Sequence, residues 1–260
     1  MDAWGKWAQL RGMSLFHSDM KEGEGFYNDE TVHQLKCFWH VNVVRACLGV
    51  MNYENRGYLA HKDEQKNKVI EVIEAAIKHD IYVIVIRGND QNAVIICGTP
   101  NYDQHILDAF HSPIKKYKNI MYSLHFYASE GDVEKVRKNV QIALYNNFPL
   151  FVTEYGLTKG NGDGPINKEE TKLWWEMLDK YGVSYINWAI SNKPESSAAL
   201  KPGSTKWDVG KITSLTESGW IVRNMLIYKH PKAPYGCPNW EETIKDFISK
   251  IFPLNDVINK

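Results

Sequence analysis

The residues best suited to chemistry lie in FPLFVTEYG at 148–156, an apolar run that ends in a carboxylate, Glu154, and breaks at Gly156. A carboxylate at the C-terminal end of a buried strand, in a barrel of parallel strands, sits where such folds hold their reactive groups. It has the signature of a glycosidase nucleophile, which attacks the anomeric carbon of a sugar and forms a covalent glycosyl ester. Retaining hydrolysis also needs a second carboxyl roughly 5–5.5 Å away to protonate the leaving oxygen. No segment of the chain shows that partner. Taken alone, a strand-end glutamate is more often a solvated loop carboxylate, so what surrounds Glu154 has to decide.

A parallel sheet must position such a residue, and the chain has the alternation that builds one. Short apolar runs at 8–15, 41–48, 81–86, 93–99, 120–127, 149–154 and 184–190 alternate with amphipathic stretches, the pattern of a parallel sheet. The spacing of Val69, Ile73, Ala76 and Ile77 predicts a helix over 64–79, and that of Leu173, Trp174, Met177, Leu178 and Tyr181 predicts one over 167–181. Asn167 with Glu170 resembles a capping box, and Gly182 stands where a helix-ending glycine should. Further helices are expected at 216–228 and, after the Pro/Gly/Cys-rich turn 231–238, at 239–252. One junction departs from the pattern. Only RGNDQN at 87–92 separates the third run from the fourth, whereas a parallel crossover takes about a dozen residues or more. The link reads as a hairpin, or as a bridge left where something was removed.

At 260 residues, 43% hydrophobic and 24% charged, the chain is expected to be one domain over 1–260, with 231–260 as a C-terminal extension. Lys+Arg and Asp+Glu are equal at 31 each, and the basic residues are scattered, as at Lys115 and Lys116. That excludes an electrostatic footprint for nucleic acid. MDAWGKWAQL has no apolar leader and no run approaches ~18 apolar residues, so neither a signal nor a membrane span is expected. As written, the chain would be cytoplasmic. Aromatics at 12% suit stacking on sugar faces as well as core packing. The four cysteines, Cys37, Cys47, Cys97 and Cys237, show no CxxC and no His at metal-ligand spacing. Cys47 and Cys97 lie in strand-like runs as small hydrophobes, and no disulfide framework is expected. No metal or cofactor is implied.

Eight ordered segments carry a resemblance: RGMSLFHS (11–18), VVRA (43–46), IEAAIKHDIYVIV (73–85), NAVIICGTPNYDQ (92–104), YSLHFYA (122–128), FVTEYG (151–156), INWAISNKPESSAAL (186–200) and LTESGWIVR (215–223). Together they resemble glycoside hydrolase family 5, in its bacterial- and nematode-type endo-β-1,4-glucanase branch. The resemblance implies a secreted (β/α)8 barrel that cleaves β-1,4-glucan with retention. It assigns Glu154 as nucleophile, although Tyr155 stands where Trp is common. Arg45 matches the arginine that keeps the nucleophile ionised, since an opposite charge lowers a carboxylate's pKa. His125 and Tyr127 match the pair lining the centre, with the Tyr127 hydroxyl available to the nucleophile. Trp188 matches the aromatic platform at the cleavage point, and Lys193 and Glu195 match polar substrate contacts. The partner implied is a β-glucan, taken by a monomer.

The family also has an Asp/Trp-His segment after its third strand and an Asn-Glu-Pro segment after its fourth, whose Glu is the acid/base. Neither occurs here. What is lost resembles a helix, strand four and the next helix, about two βα units at roughly 30 residues each. The fold class expected is therefore α/β: a TIM-like (β/α) barrel, incomplete, with seven strands and the fourth βα region deleted. MDAWGKWAQ also replaces the N-terminal hairpin of the family. Glu54, Glu130 and Glu195 each follow a strand and are the candidates to replace the acid. Three readings stay open: a glucanase with impaired or unrecognised acid catalysis, a carbohydrate-binding module without turnover, and a truncated product whose opened barrel exposes two unpaired strand edges.

Overall fold

The computed structural model describes residues 8–51, 53–85 and 93–238. The expected link at 87–92 and the helix at 239–252 lie outside them, as does most of the replaced N-terminal segment. Seven strands form: β1 (Arg11–Leu15), β2 (Val43–Ala46), β3 (Tyr82–Val85), β4 (Ile95–Cys97), β5 (Ile120–Tyr127), β6 (Leu150–Gly156) and β7 (Tyr185–Ile190). They coincide with the seven apolar runs. Every ladder is parallel, and the order is β3-β2-β1-β7-β6-β5-β4. This is a barrel sheet curled through seven strands whose ends, β3 and β4, each have one partner. The described parts of β3 and β4 do not pair, so the hairpin alternative is not formed by them.

The helices are α1 (Lys21–Glu24), α2 (Asp29–Trp39), α3 (Lys62–Lys78), α4 (Pro100–Asp103), α5 (Ile106–His111), α6 (Val133–Tyr145), α7 (Lys168–Lys180) and α8 (Glu217–Lys229). The expectation of helices near 64–79, 167–181 and 216–228 is met by α3, α7 and α8. Asn167 caps α7 by accepting from the Glu170 N–H at 3.1 Å. The capping box is only half formed, because the Glu170 carboxylate turns to Arg137 at 2.6 Å. Gly182 ends the helix at φ +65°, the left-handed region a side chain resists.

Period-two alternation divides the core. Outward residues such as Leu124, Val152, Tyr155 and Tyr185 pack with Trp174, Leu178 and other helix residues into the main cluster. Inward, Val43, Phe151 and Ile186 form an apolar layer joined by Ile84, Ile96 and Met121. Above it a second inward cluster holds Phe16, Cys47, Tyr127, Trp188 and Ala189. Such stacked layers are how a barrel fills its interior.

One expectation is corrected. Cys37, on α2, and Cys237, after α8, form a disulfide across 200 residues with Cα atoms 5.2 Å apart. Their spacing in sequence could not show this, because they meet only once the β1–β7 ladder closes and sets α2 beside α8. Cys47 and Cys97 are free, the first buried and the second half-buried. Among the described residues no helix is long and apolar enough to cross a membrane.

Candidate active site

Arg45 on β2, His125 and Tyr127 on β5 and Glu154 on β6 converge at the C-terminal ends of their strands. The β5–β6 register slips between Leu124 and His125: Leu124 pairs with Val152, and His125 with Glu154. The extra residue, Thr153, makes a bulge, a device that re-aims side chains. Both Thr153 and Glu154 then reach the inward residues of β5.

The contacts on Glu154 are close. Arg45 Nη1 lies 2.8 Å from Oε2, and the Tyr127 hydroxyl donates to Oε1 at 2.7 Å. His125 Nδ1 stands 3.8 Å from the same Oε1, while its Nε2 is 2.9 Å from Thr153 Oγ1. Glu154 and Arg45 are only 14% and 11% exposed. Burial works against ionisation of Glu154, but the charges of His125 and Arg45 and the hydrogen bonds from Tyr127 and Arg45 outweigh it, holding the carboxyl below its usual range. Burial also lowers His125, more than Glu154 and Asp103 raise it, so the imidazole is neutral at neutral pH. There Arg45 and Tyr127 keep Glu154 ionised. Burial and the Glu154 charge push the Tyr127 hydroxyl far above its ordinary value, so it remains a donor.

β6 ends at Gly156, where the apolar run is expected to break. The glycine also serves packing: a Cβ there would lie 2.5 Å from the Tyr127 ring. Tyr155 points away from the site, stacked on Phe126 in the helix-facing core.

Trp188 borders the ion pair. Its ring centroid is 5.2 Å from Phe16 and 5.0 Å from His17, and the Arg45 guanidinium lies 5.6 Å from it. Lys193 Nζ sits 5.5 Å from the Phe16 ring centre. Glu195 is paired with Lys193, is only 4% exposed and accepts the Ser197 hydroxyl at 3.1 Å. The other candidates for an acid are also placed. Glu54 is exposed, and Glu130 accepts the Gly160 N–H at 2.7 Å.

Asp103, His17 and Thr153 were not singled out from the sequence. Asp103 and His17 lie inside the segments NAVIICGTPNYDQ and RGMSLFHS, but no spacing relates them to Glu154. Asp103 Oδ2 reaches His125 Nε2 at 3.4 Å. Among the described residues, no group of His, Cys, Asp and Glu is arranged to hold a metal ion.

The cellulase family, glycosyl hydrolase family 5, matches by its sequence model over residues 1–85 and 85–194. The two matched segments meet at Val85, next to the short junction. Endoglucanase Z of Dickeya dadantii is 31% identical over 274 residues, 83% of this chain and 62% of that protein. The chain thus spans about six-tenths of its length. Because the aligned length exceeds the 260 residues present, that relative carries residues with no counterpart here. A solved structure from Cytophaga hutchinsonii superposes with a TM-score of 0.80 at 31% identity, covering 88% of this chain and 92% of that one. A thermostable, halotolerant family 5 cellulase from an Icelandic hot spring isolate gives 0.74 at 27% identity, covering 86% and 90%.

Proposed function

This chain belongs to the cellulase family, glycosyl hydrolase family 5, and from that premise we propose that it binds β-1,4-glucan and uses Glu154 as the nucleophile of a retaining cleavage. One observation carries the reading: a half-buried carboxylate at a strand's C-terminal end, ionised and gripped by Arg45 at 2.8 Å and Tyr127 at 2.7 Å. In the first step a Glu154 oxygen forms an ester with the anomeric carbon as the glycosidic oxygen departs. Water then attacks that carbon and frees the carboxylate. Trp188 and Lys193 are the proposed sugar contacts, with Glu195 holding Lys193. A groove of about 510 Å³ lies on the Lys193 side, lined by Lys193 and Glu195 with Asp163 and Ile166, and does not include Trp188 or Glu154.

The leaving oxygen lacks a recognised acid, which typically contributes about 10²–10⁴-fold. Turnover is therefore proposed to depend on the leaving group. Engagement of Glu130 by Gly160 and of Glu195 by Lys193 favours, as a second reading, glucan binding without efficient cleavage. The Cys37–Cys237 bridge supports an oxidising, extracellular setting.

The test is intact-protein mass spectrometry after incubation with a 2-deoxy-2-fluoro-β-cellobiosyl fluoride, whose leaving group needs no strong acid. A single added glycosyl on Glu154, absent from Glu154→Ala, is expected, with dinitrophenyl cellobioside hydrolysed far faster than soluble cellulose. Failure of wild type to label would overturn the nucleophile assignment. Equal turnover of both substrates would show that an acid is present.

A further inference from the structure

The carboxylate nearest the site that the reaction as described does not use is Asp103. It lies at the C-terminal end of α4, in the loop over the edge strand β4, with a 21% exposed side chain. Its Oδ1 accepts the Thr99 N–H at 2.5 Å, while the Thr99 hydroxyl donates to the Ser123 carbonyl of β5 at 3.1 Å. The loop is thereby fastened to the strand that carries His125. Asn101, Tyr102 and Asp103 have φ of +56°, +53° and +65°, a left-handed run that three side-chain-bearing residues adopt only where surroundings over-determine it. The result of that contortion is that Asp103 Oδ2 faces His125 Nε2 at 3.4 Å, while His125 Nδ1 faces Glu154 Oε1 at 3.8 Å.

We propose that Asp103 is a positioning residue, which holds His125 by Nε2 and so presents Nδ1 to the nucleophile Glu154; this rests on the reading of Glu154 as nucleophile. Thr153 Oγ1, 2.9 Å from Nε2, shares the grip. A carboxylate at Nε2 favours the tautomer or imidazolium whose Nε2 carries a proton, and its charge favours the charged ring. The charged groups acting on His125 are Glu154 from β6 and Asp103 from the β4 loop, which stabilise the imidazolium, and Arg45 from β2, which opposes it. His125, when charged, in turn favours the ionised nucleophile. Asp103 thus extends downward the pH range over which Glu154 can attack. It does so from the loop that follows β4, an end strand of the sheet.

The variant that tests this is Asp103→Asn, which keeps an acceptor for Thr99 N–H and removes the charge. The His125 ring is followed by NMR titration, with Asp103→Glu as the rescuing variant. The expected result is a His125 pKa lowered by about half a unit to one unit in Asp103→Asn and restored in Asp103→Glu. The acid limb of kcat on an aryl β-cellobioside should move to higher pH, with kcat down several-fold and KM within about twofold. A His125 titration and an acid limb unchanged by Asp103→Asn would overturn the proposal. A global loss of the folded NMR spectrum in that variant would also overturn it, making Asp103 a structural brace. Fluoroglycosyl labelling of Glu154 is independent of the His125 titration, so failure of the nucleophile assignment is distinguishable from failure of this one.

Discussion

The two flanks of the sheet differ sharply. In β7 every residue is buried, and in β6 all but Glu154 are; at the ends of the sheet Tyr82 is 46% exposed on β3 and Ile95 is 51% exposed on β4. Yet each side chain that grips Glu154 stands on a strand with neighbours on both sides: Arg45 between β1 and β3, His125 and Tyr127 between β4 and β6. The surroundings of Glu154 are therefore built by the interior of the sheet. The edge strands β3 and β4 contribute no side chain to that grip.

Arg45→Met should show the largest effect, because it leaves the Glu154 charge buried without its cation. A loss of about 3–5 kcal/mol is expected in chemical denaturation at neutral pH, and a loss under about 1 kcal/mol would mean that water reaches the pair. Next, Ile186→Ala in the interior layer should cost about 2–5 kcal/mol, while Ile95→Ala at the edge should cost about 1 kcal/mol or less. Similar costs for the two would break the contrast between flanks. Cys37→Ser opens a loop of 200 residues and should cost about 2–4 kcal/mol, or less if the denatured chain retains structure; reducing agent should lower the melting temperature of wild type but not of the variant. Within the site itself, Tyr127→Phe removes one hydrogen bond to a charged acceptor, about 1.5–3 kcal/mol. Here pH gives the sharper reading. Glu154 titrates below its ordinary 4.5 in the fold, so it stabilises the protein above that value and the contribution fades as pH falls through the folded pKa. In Tyr127→Phe the fade should be shallower and finish at higher pH.

The strands were legible because each is a short apolar run, and Leu150–Gly156 lies almost where FPLFVTEYG places it. Asn167 and Gly182 likewise marked α7 through local geometry. Arg45, His125, Tyr127 and Glu154 were legible through ordered resemblance, and the structure brings all four together. Trp188 joins them, whereas Glu195 turns to Lys193. What escaped were relations between distant segments: the Cys37–Cys237 bridge, the bulge that puts Glu154 opposite His125, and Asp103 against Nε2.

The sequence by itself determined seven parallel strands, the strand that carries Glu154 and the short link between the third and fourth runs. Those follow from periodicity and chain length, which act within a few residues or set how far a segment can reach. Only the tertiary structure decided that β3 and β4 stand at opposite ends of one sheet, that Cys37 meets Cys237, and that Asp103 holds His125. Ladder closure sets those distances, and a contact between residues far apart in the chain leaves no mark on the spacing of either.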